Sequence, residues 1–204
     1  LEILGLDPAC VFSMRQVHGT SISEAGAGPD GARGNMASGG FAGTDGMFTV
    51  RVNQALMGMF ADCVPIILAD TGSGRVGLVH AGWRGTAAGA SIELAMRMGL
   101  DRTKADSFIA AIGPSIGPCC YEVGREVADA VAARSGESCV SISGEGIRLD
   151  LGLANEMQLA SLGLSCERIF RYMGCTSCER EDFFSHRRDK GRTGRIAAIA
   201  ARVR

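Results

Sequence analysis

Apolar residues in this chain come first as short runs closed by breakers, and only later at helical spacing. ALMGMFA (55–61), PIILAD (65–70) and RVGLVH (75–80) are such runs. Each is too short for a helix and is bounded by small, polar or charged residues, which predicts three buried strands. MFTVRV (47–52) reads as a strand, as does SFIAAIGP (107–114), which ends at Pro114 and a glycine–proline loop. RIFRYMG (168–174) and GRIAAIAARV (194–203) predict two closing strands.

Helical periodicity enters in three places. TAAGASIELAMRMG (86–99) carries Ile92, Ala95 and Met96, with Gly99 at its end. In YEVGREVADAVAARSG (121–136), Val123, Val127, Ala130 and Val131 fall at i, i+4, i+7 and i+8, which makes one apolar face. A further helix over 151–162 turns Leu153, Met157 and Ala160 inward, with Gly163 past its end. Residues 19–46 are rich in Gly, Ser and Ala and read as loop or irregular strand, part of it mobile. Strands alternate with helices only in part. The expected class is α+β: a single-domain mixed α/β sandwich over 1–204, with helices packed on mainly buried β-sheets. No internal repeat or linker divides it.

Composition narrows the partners more than the fold. A hydrophobic content of 46% fits a folded chain, and 5% aromatics leave the core to aliphatic residues. The 29 glycines cluster without a collagen-like period, which points to tight turns and close backbone approach. A net charge of −1 gives no pull toward nucleic acid or an anionic membrane. No uninterrupted apolar stretch nears the roughly 20 residues that span a bilayer. The start, LEILGLDPAC, shows no basic n-region and no cleavage pattern, so no secretory signal is expected. It also lacks an initiator Met, which leaves an upstream targeting segment open. Without a signal, the eight cysteines are expected as reduced thiols in a cytoplasmic protein.

Three residues hold the candidate chemistry. His18 stands in RQVHGT, Cys63 just before PIILAD and His80 at the end of RVGLVH. Two imidazoles and a thiolate form a zinc donor set, and three protein ligands leave a fourth position for water or substrate. The separations, 63 − 18 = 45 and 80 − 63 = 17, contain no local metal motif. A thiol before a buried strand is more often a core group than a ligand, and a histidine at a strand end is more often a hydrogen-bonding residue. Scarcity shifts the balance, because the chain has only three histidines. A rival site lies in CTSCERED, where Cys175 and Cys178 with Cys119 and Cys120 supply four thiols, although the paired C-x-x-C spacing is absent. FFSHRRDKGRTGR adds five cations, Arg187, Arg188, Lys190, Arg192 and Arg195; some belong to a solvated loop, and others suit an anionic reactant. Arg84, beside the only Trp and close to His80, raises the same possibility.

QVHG, TDG, ADCVPIIL, VHAGWRGT, IGPSIGPCCYEVG, CT and FFSHRRDKGRTGR occur here in the order found in one family. From about residue 15 to residue 200 the sequence resembles the laccase-domain family, also called YfiH-like and known as polyphenol oxidases. The resemblance implies a mixed α/β domain whose zinc, or copper in an older assignment, is held by His18, Cys63 and His80. It implies phosphorolysis of purine nucleosides (adenosine, inosine, guanosine, methylthioadenosine) and deamination of adenosine, with oxidation of phenols as the older assignment. Two departures stand out. The family's N-terminal segment, with its Arg-x-Gly-Gly stretch, is expected to be missing, and Thr44-Asp45-Gly46 stands where the family commonly has TDA.

Deamination would use metal-activated water with Asp62 or Asp45 as acid/base. Phosphorolysis would use Arg84 to hold phosphate. Asp45, Arg187 and Arg188 are placed as substrate-binding, and Cys63, His80, Asp62 and Arg84 as catalytic. The partners are then nucleosides and phosphate, with the oligomeric state undetermined. Competing readings are a Cys63–His80 hydrolase, a copper polyphenol oxidase for which three histidines are too few to build a multicopper cluster, and a non-enzymatic scaffold.

Overall fold

A computed structural model describes residues 7–26, 39–144 and 146–203. The first part of the chain is strand-rich: β1 (Val11–Arg15), β2 (Ile22–Glu24), β3 (Phe41–Ala42), β4 (Gly46–Thr49), β5 (Ala55–Phe60), β6 (Val64–Asp70) and β7 (Arg75–Ala81). Helices α1 (Trp83–Ala88) and α2 (Ala90–Arg97) follow, then β8 (Phe108–Ile112), β9 (Glu122–Val123) and α3 (Arg125–Ser135). The chain closes with β10 (Val140–Ser143), β11 (Gly146–Leu149), α4 (Leu151–Ser161), β12 (Ile169–Arg171) and β13 (Ile196–Ala201).

The β6–β7 hairpin organises the molecule. TGSG turns the chain, and the strands pair antiparallel from Asp70 opposite Arg75 to Val64 opposite Ala81. Asp70 closes the turn by accepting the Gly72 N–H at 3.0 Å and the Ser73 hydroxyl. The hairpin sits in the middle of a six-stranded sheet ordered β12-β8-β6-β7-β4-β2. A second sheet, β13-β5-β1-β3, lies beside it, and β10-β11-β9 form a small third one.

Strand alternation separates two cores. Val76 and Leu78 of β7 pack with Met47, Phe12, Leu56 and Phe60 between the two larger sheets. Val79 and Ala81 face the other way and pack with Leu94, Ala95 and Met98 of the helical layer. Each fully buried aliphatic or Phe side chain here contributes roughly 1.5–3 kcal/mol. The result is sheet on sheet on helices, a mixed α/β sandwich as expected.

Several expectations need correction. The helix expected from Thr86 begins at Trp83 and breaks at Gly89, whose left-handed backbone (φ 86°) returns its N–H to α1 carbonyls. Ala90, Leu94, Ala95 and Met98 face inward, while Met96 is 61% exposed. The expected 121–136 helix starts later, because Val123 pairs with Ile147 as a strand. Its buried face is Ala128, Val131, Ala132 and Ser135, and Ala130 is exposed. Helix α4 has the expected length but not the expected face. Asn155 and Gln158 point inward, with Met157 half-buried and Ala160 exposed. A buried hydrogen-bond network explains the rotation: the Ser91 hydroxyl donates to Gln158 Oε1 (2.8 Å), and Gln158 Nε2 donates to Thr86 O and Ser135 Oγ (both 2.8 Å). Asn155 Nδ2 donates to Thr86 Oγ1 at 3.0 Å. Strands β1, β10 and β11 were not anticipated, while β2 and β3 are short strands within the 19–46 stretch read as loop or irregular strand. Part of the 19–46 stretch, 27–38, lies outside the described residues, together with the mobility expected there.

Candidate metal centre and its cavity

The three candidate ligands come from three different backbone devices. His80 shares the inter-sheet face of β7 with Val76 and Leu78, at the strand's end, and is 3% exposed. Cys63 occupies the bend between β5 and β6, next to Asp62 in a left-handed conformation (φ 82°). His18, also left-handed (φ 64°), lies in the loop after β1. Such backbones cost of order 1–3 kcal/mol each and persist where surrounding bonds impose them.

Asp45 imposes the second of these. It sits opposite His80 at the start of β4, and the His80 N–H donates to its carbonyl at 2.7 Å. Its carboxylate, fully buried, accepts the N–H groups of His18 (2.8 Å), Gly19 (2.7 Å) and Val17 (3.2 Å). The same carboxylate takes the His80 Nδ1 proton at 3.0 Å, which leaves the Nε2 lone pair free for a metal. One side chain therefore fixes the His80 imidazole and the backbone that carries His18. Burial works against this carboxylate, but the His80 contact and the three amides outweigh it and hold the acid below the ordinary aspartate range.

Donor atoms of His18, Cys63 and His80 all lie within 4.8 Å of one another. The imidazole rings meet edge-on, with centroids 4.9 Å apart. Gly82 leaves the donors room, since a Cβ there would lie 3.0 Å from Cys63 Sγ and 3.2 Å from His18 Cδ2. Burial, then the proximity of His80, lowers His18 and keeps it neutral and able to ligate. Burial, then the charges of Asp62 and Asp45, pushes the Cys63 thiol up to about 12. The protein alone does not hold a thiolate here; a cation at the convergence point would. The residues present therefore fit a metal with three protein ligands and an open position.

That position faces a cavity of about 490 Å³, lined among others by Asp62, Trp83, Arg84, Tyr121, Arg187 and Arg195. Arg84 stacks on Trp83 with its guanidinium carbon 4.4 Å from the ring centroid, and Arg187 lies 4.9 Å over Tyr121. Burial pushes the Tyr121 hydroxyl up to about 12, so it faces the cavity as a neutral phenol. Asp62 accepts the Thr176 hydroxyl (2.7 Å) and the Arg187 N–H (2.6 Å).

The structure gathers His18, Cys63, His80, Asp62, Arg84 and Arg187 around one cavity. It does not place Asp45 or Arg188 on the wall. Asp45 is spent behind the imidazoles. The Arg188 guanidinium binds Asp189 and the carbonyls of Thr176 and Phe183 and so ties the loop together. Tyr121, His186, Arg195 and Gln16 line the cavity without having been singled out as site residues. His186 and Arg195 were visible in the basic FFSHRRDKGRTGR stretch; Tyr121 was hidden at the head of an expected helix.

A cavity closed at one end by a His-Cys-His donor set, beside two stacked sheets, defines an α/β protein with residues that could hold a metal ion. Residues 1–202 match the family described as multi-copper polyphenol oxidoreductase laccase, and the chain belongs to it. The chain is 40% identical over 192 residues to purine nucleoside phosphorylase YlmD of Geobacillus stearothermophilus, covering 92% of this chain and 70% of that protein. It is 36% identical over 203 residues to a purine nucleoside phosphorylase of Xylella fastidiosa, covering 98% of this chain and 75% of the other. The crystal structure of Geobacillus stearothermophilus YlmD superposes with a TM-score of 0.88 at 36% identity, over 100% of this chain and 77% of that one. That of Bacillus licheniformis hypothetical protein YfiH gives 0.89 at 35% identity, over 98% and 77%. Relatives named as phosphorylases support an enzyme acting on purine nucleosides and phosphate, and the family suggests a bound metal.

Proposed function

We propose that this chain is a zinc-dependent purine nucleoside phosphorylase that also deaminates adenosine, working as one domain over 1–204. The observation that supports this most is the convergence of His18, Cys63 and His80 beneath a cavity with three arginines on its wall. Zinc suits an imidazole–thiolate donor set, and when bound it supplies a Lewis acid with one vacant position. Asp45 orients the His80 imidazole and holds the backbone of His18. Arg84, Arg187 and Arg195 offer guanidinium groups to phosphate, the anion consumed in phosphorolysis. Trp83 and Tyr121 supply flat walls for a purine, and the Tyr121 hydroxyl donates a hydrogen bond to it. Asp62 fixes the Thr176 side chain and the Arg187 backbone, which supports a positioning role beside the cavity. His186, exposed on the cavity wall, is the proposed proton donor to the leaving base.

The alternative Cys63–His80 hydrolase is weaker here. Burial holds the thiol protonated, and a nucleophilic cysteine needs the thiolate. Copper remains the metal of the family's laccase description, and phenol oxidation by the copper-loaded protein tests that reading directly. All eight cysteines are free, in keeping with a reducing cytoplasm, and among the described residues no helix is long and apolar enough to cross a membrane. The deciding experiment is base release from inosine with and without phosphate, combined with elemental analysis. Phosphate-dependent release by zinc-bearing protein is expected, and Cys63→Ala should abolish it. Equal release without phosphate would replace phosphorolysis by hydrolysis.

A further inference from the structure

Two loops remote in sequence bring four sulfurs together beside the first centre. Cys119 and Cys120 lie in the turn after Gly117, and Cys175 and Cys178 in the turn after β12. One Sγ from each lies within 4.8 Å of the other three. Cys119 Sγ is 3.7 Å and Cys120 Sγ 3.4 Å from Cys178 Sγ. A tetrahedral zinc with Zn–S bonds of about 2.3 Å sets its sulfurs about 3.8 Å apart, which is the spacing seen. A disulfide would need about 2.05 Å and would join sulfurs only in pairs. All four cysteines are free thiols, and two of them are exposed, so burial as core groups does not explain why they meet.

The surrounding backbone is arranged to serve the sulfurs. The Gly117 N–H donates to Cys175 Sγ at 3.2 Å. The Cys120 and Tyr121 N–H groups both return to Gly117 O at 3.0 Å, and those of Cys178 and Glu179 both return to Cys175 O at 3.0 Å. The two turns thus have the same form. Gly117 lets them touch, because a Cβ there would lie 3.1 Å from Cys175 Cβ and 3.4 Å from Cys119 Sγ.

We propose that Cys119, Cys120, Cys175 and Cys178 bind a structural zinc ion in a closed four-sulfur site, separate from the His18–Cys63–His80 centre. Each thiol gives up its proton to solvent as its sulfur bonds to the ion. With four protein ligands no position remains for a substrate, so the ion is a clip. It fastens the turn that leads into Tyr121 to the turn that holds Thr176. Thr176 in turn donates to Asp62, which accepts the Arg187 N–H, so the clip stiffens one wall of the cavity.

Zinc content separates this proposal from the reading of the first centre. Full-length wild type is expected to carry about two zinc ions per chain, and Cys63→Ala and Cys178→Ser about one each. Cobalt loaded into the Cys63→Ala protein should show intense sulfur-to-cobalt charge-transfer absorption. Adding Cys119→Ser to that protein should weaken it, because one of the four thiolates is lost, a comparison that also serves if Cys178→Ser fails to fold. Cys63→Ala protein that binds neither zinc nor cobalt would overturn the four-sulfur site and leave the other centre standing. So would a disulfide among these four residues in protein purified without oxidant.

Discussion

Asp45 shows how much a single side chain can be asked to do. Its carboxylate takes three amide protons and one imidazole proton, so Asp45→Asn would turn an amide N–H toward donors and free the His80 tautomer. Partners behind metal-bound histidines typically account for 10–100-fold in metal affinity. A loss of that size is expected in competition with a chromophoric chelator, with the circular dichroism spectrum unchanged; undiminished affinity would show that the imidazoles hold their orientation without it. The arginines act on a different quantity. Arg84→Ala with Arg187→Ala should raise the phosphate KM by about tenfold or more at unchanged zinc content. A KM that stays put would move phosphate elsewhere in the cavity. None of these roles could be assigned from residue type alone: TDG marked Asp45 as near the site, but only its position opposite His80 shows that it faces the imidazoles and not the substrate.

The β6–β7 hairpin carries the site, and its fit against α2 is tight. A Cβ at Gly77 would lie 2.5 Å from Met98 Sδ and 2.9 Å from Leu94 Cδ1. Gly77→Ala should therefore destabilise the protein by about 1–3 kcal/mol, read from denaturant unfolding, because the buried Met98 and Leu94 side chains must give way. The turn adds a pH-dependent part. Burial opposes the charge on Asp70, yet hydrogen bonds from Ser73, Ser107 and Gly72 hold its acid below the ordinary range. A depressed folded-state value contributes stability that is fully present above the unfolded aspartate value of about 3.9 and fades as pH falls through the folded one. The stability gap between wild type and Asp70→Asn should thus be constant near neutrality and shrink in acid. A gap that persists unchanged down to pH 2 would remove the charge from the account. This hairpin was legible from its apolar runs and glycine turn. The inward face of α4 was not, because hydrophobic periodicity has no means of announcing that Asn155 and Gln158 satisfy one another's neighbours in the core.

For the whole molecule, a metal that binds only the folded chain stabilises it by mass action, and the shift grows with free ion concentration. Metal-free protein should gain melting temperature as zinc is titrated in. A melting temperature indifferent to zinc would mean that neither donor cluster assembles an ion site in solution. Here the limits of the sequence are clearest. The chain by itself determined the strands of the hairpin, the α/β class and the donor chemistry, because strand and helix preferences are local and repeat within a few residues. Tertiary structure alone decided that His18, Cys63 and His80 meet, that Asp45 stands behind them and that the vicinal Cys119–Cys120 pair reaches Cys175 and Cys178. Those contacts join segments tens of residues apart through sheet pairing and loop packing, and no local periodicity along the chain encodes which distant partners the folded backbone will bring within bonding distance.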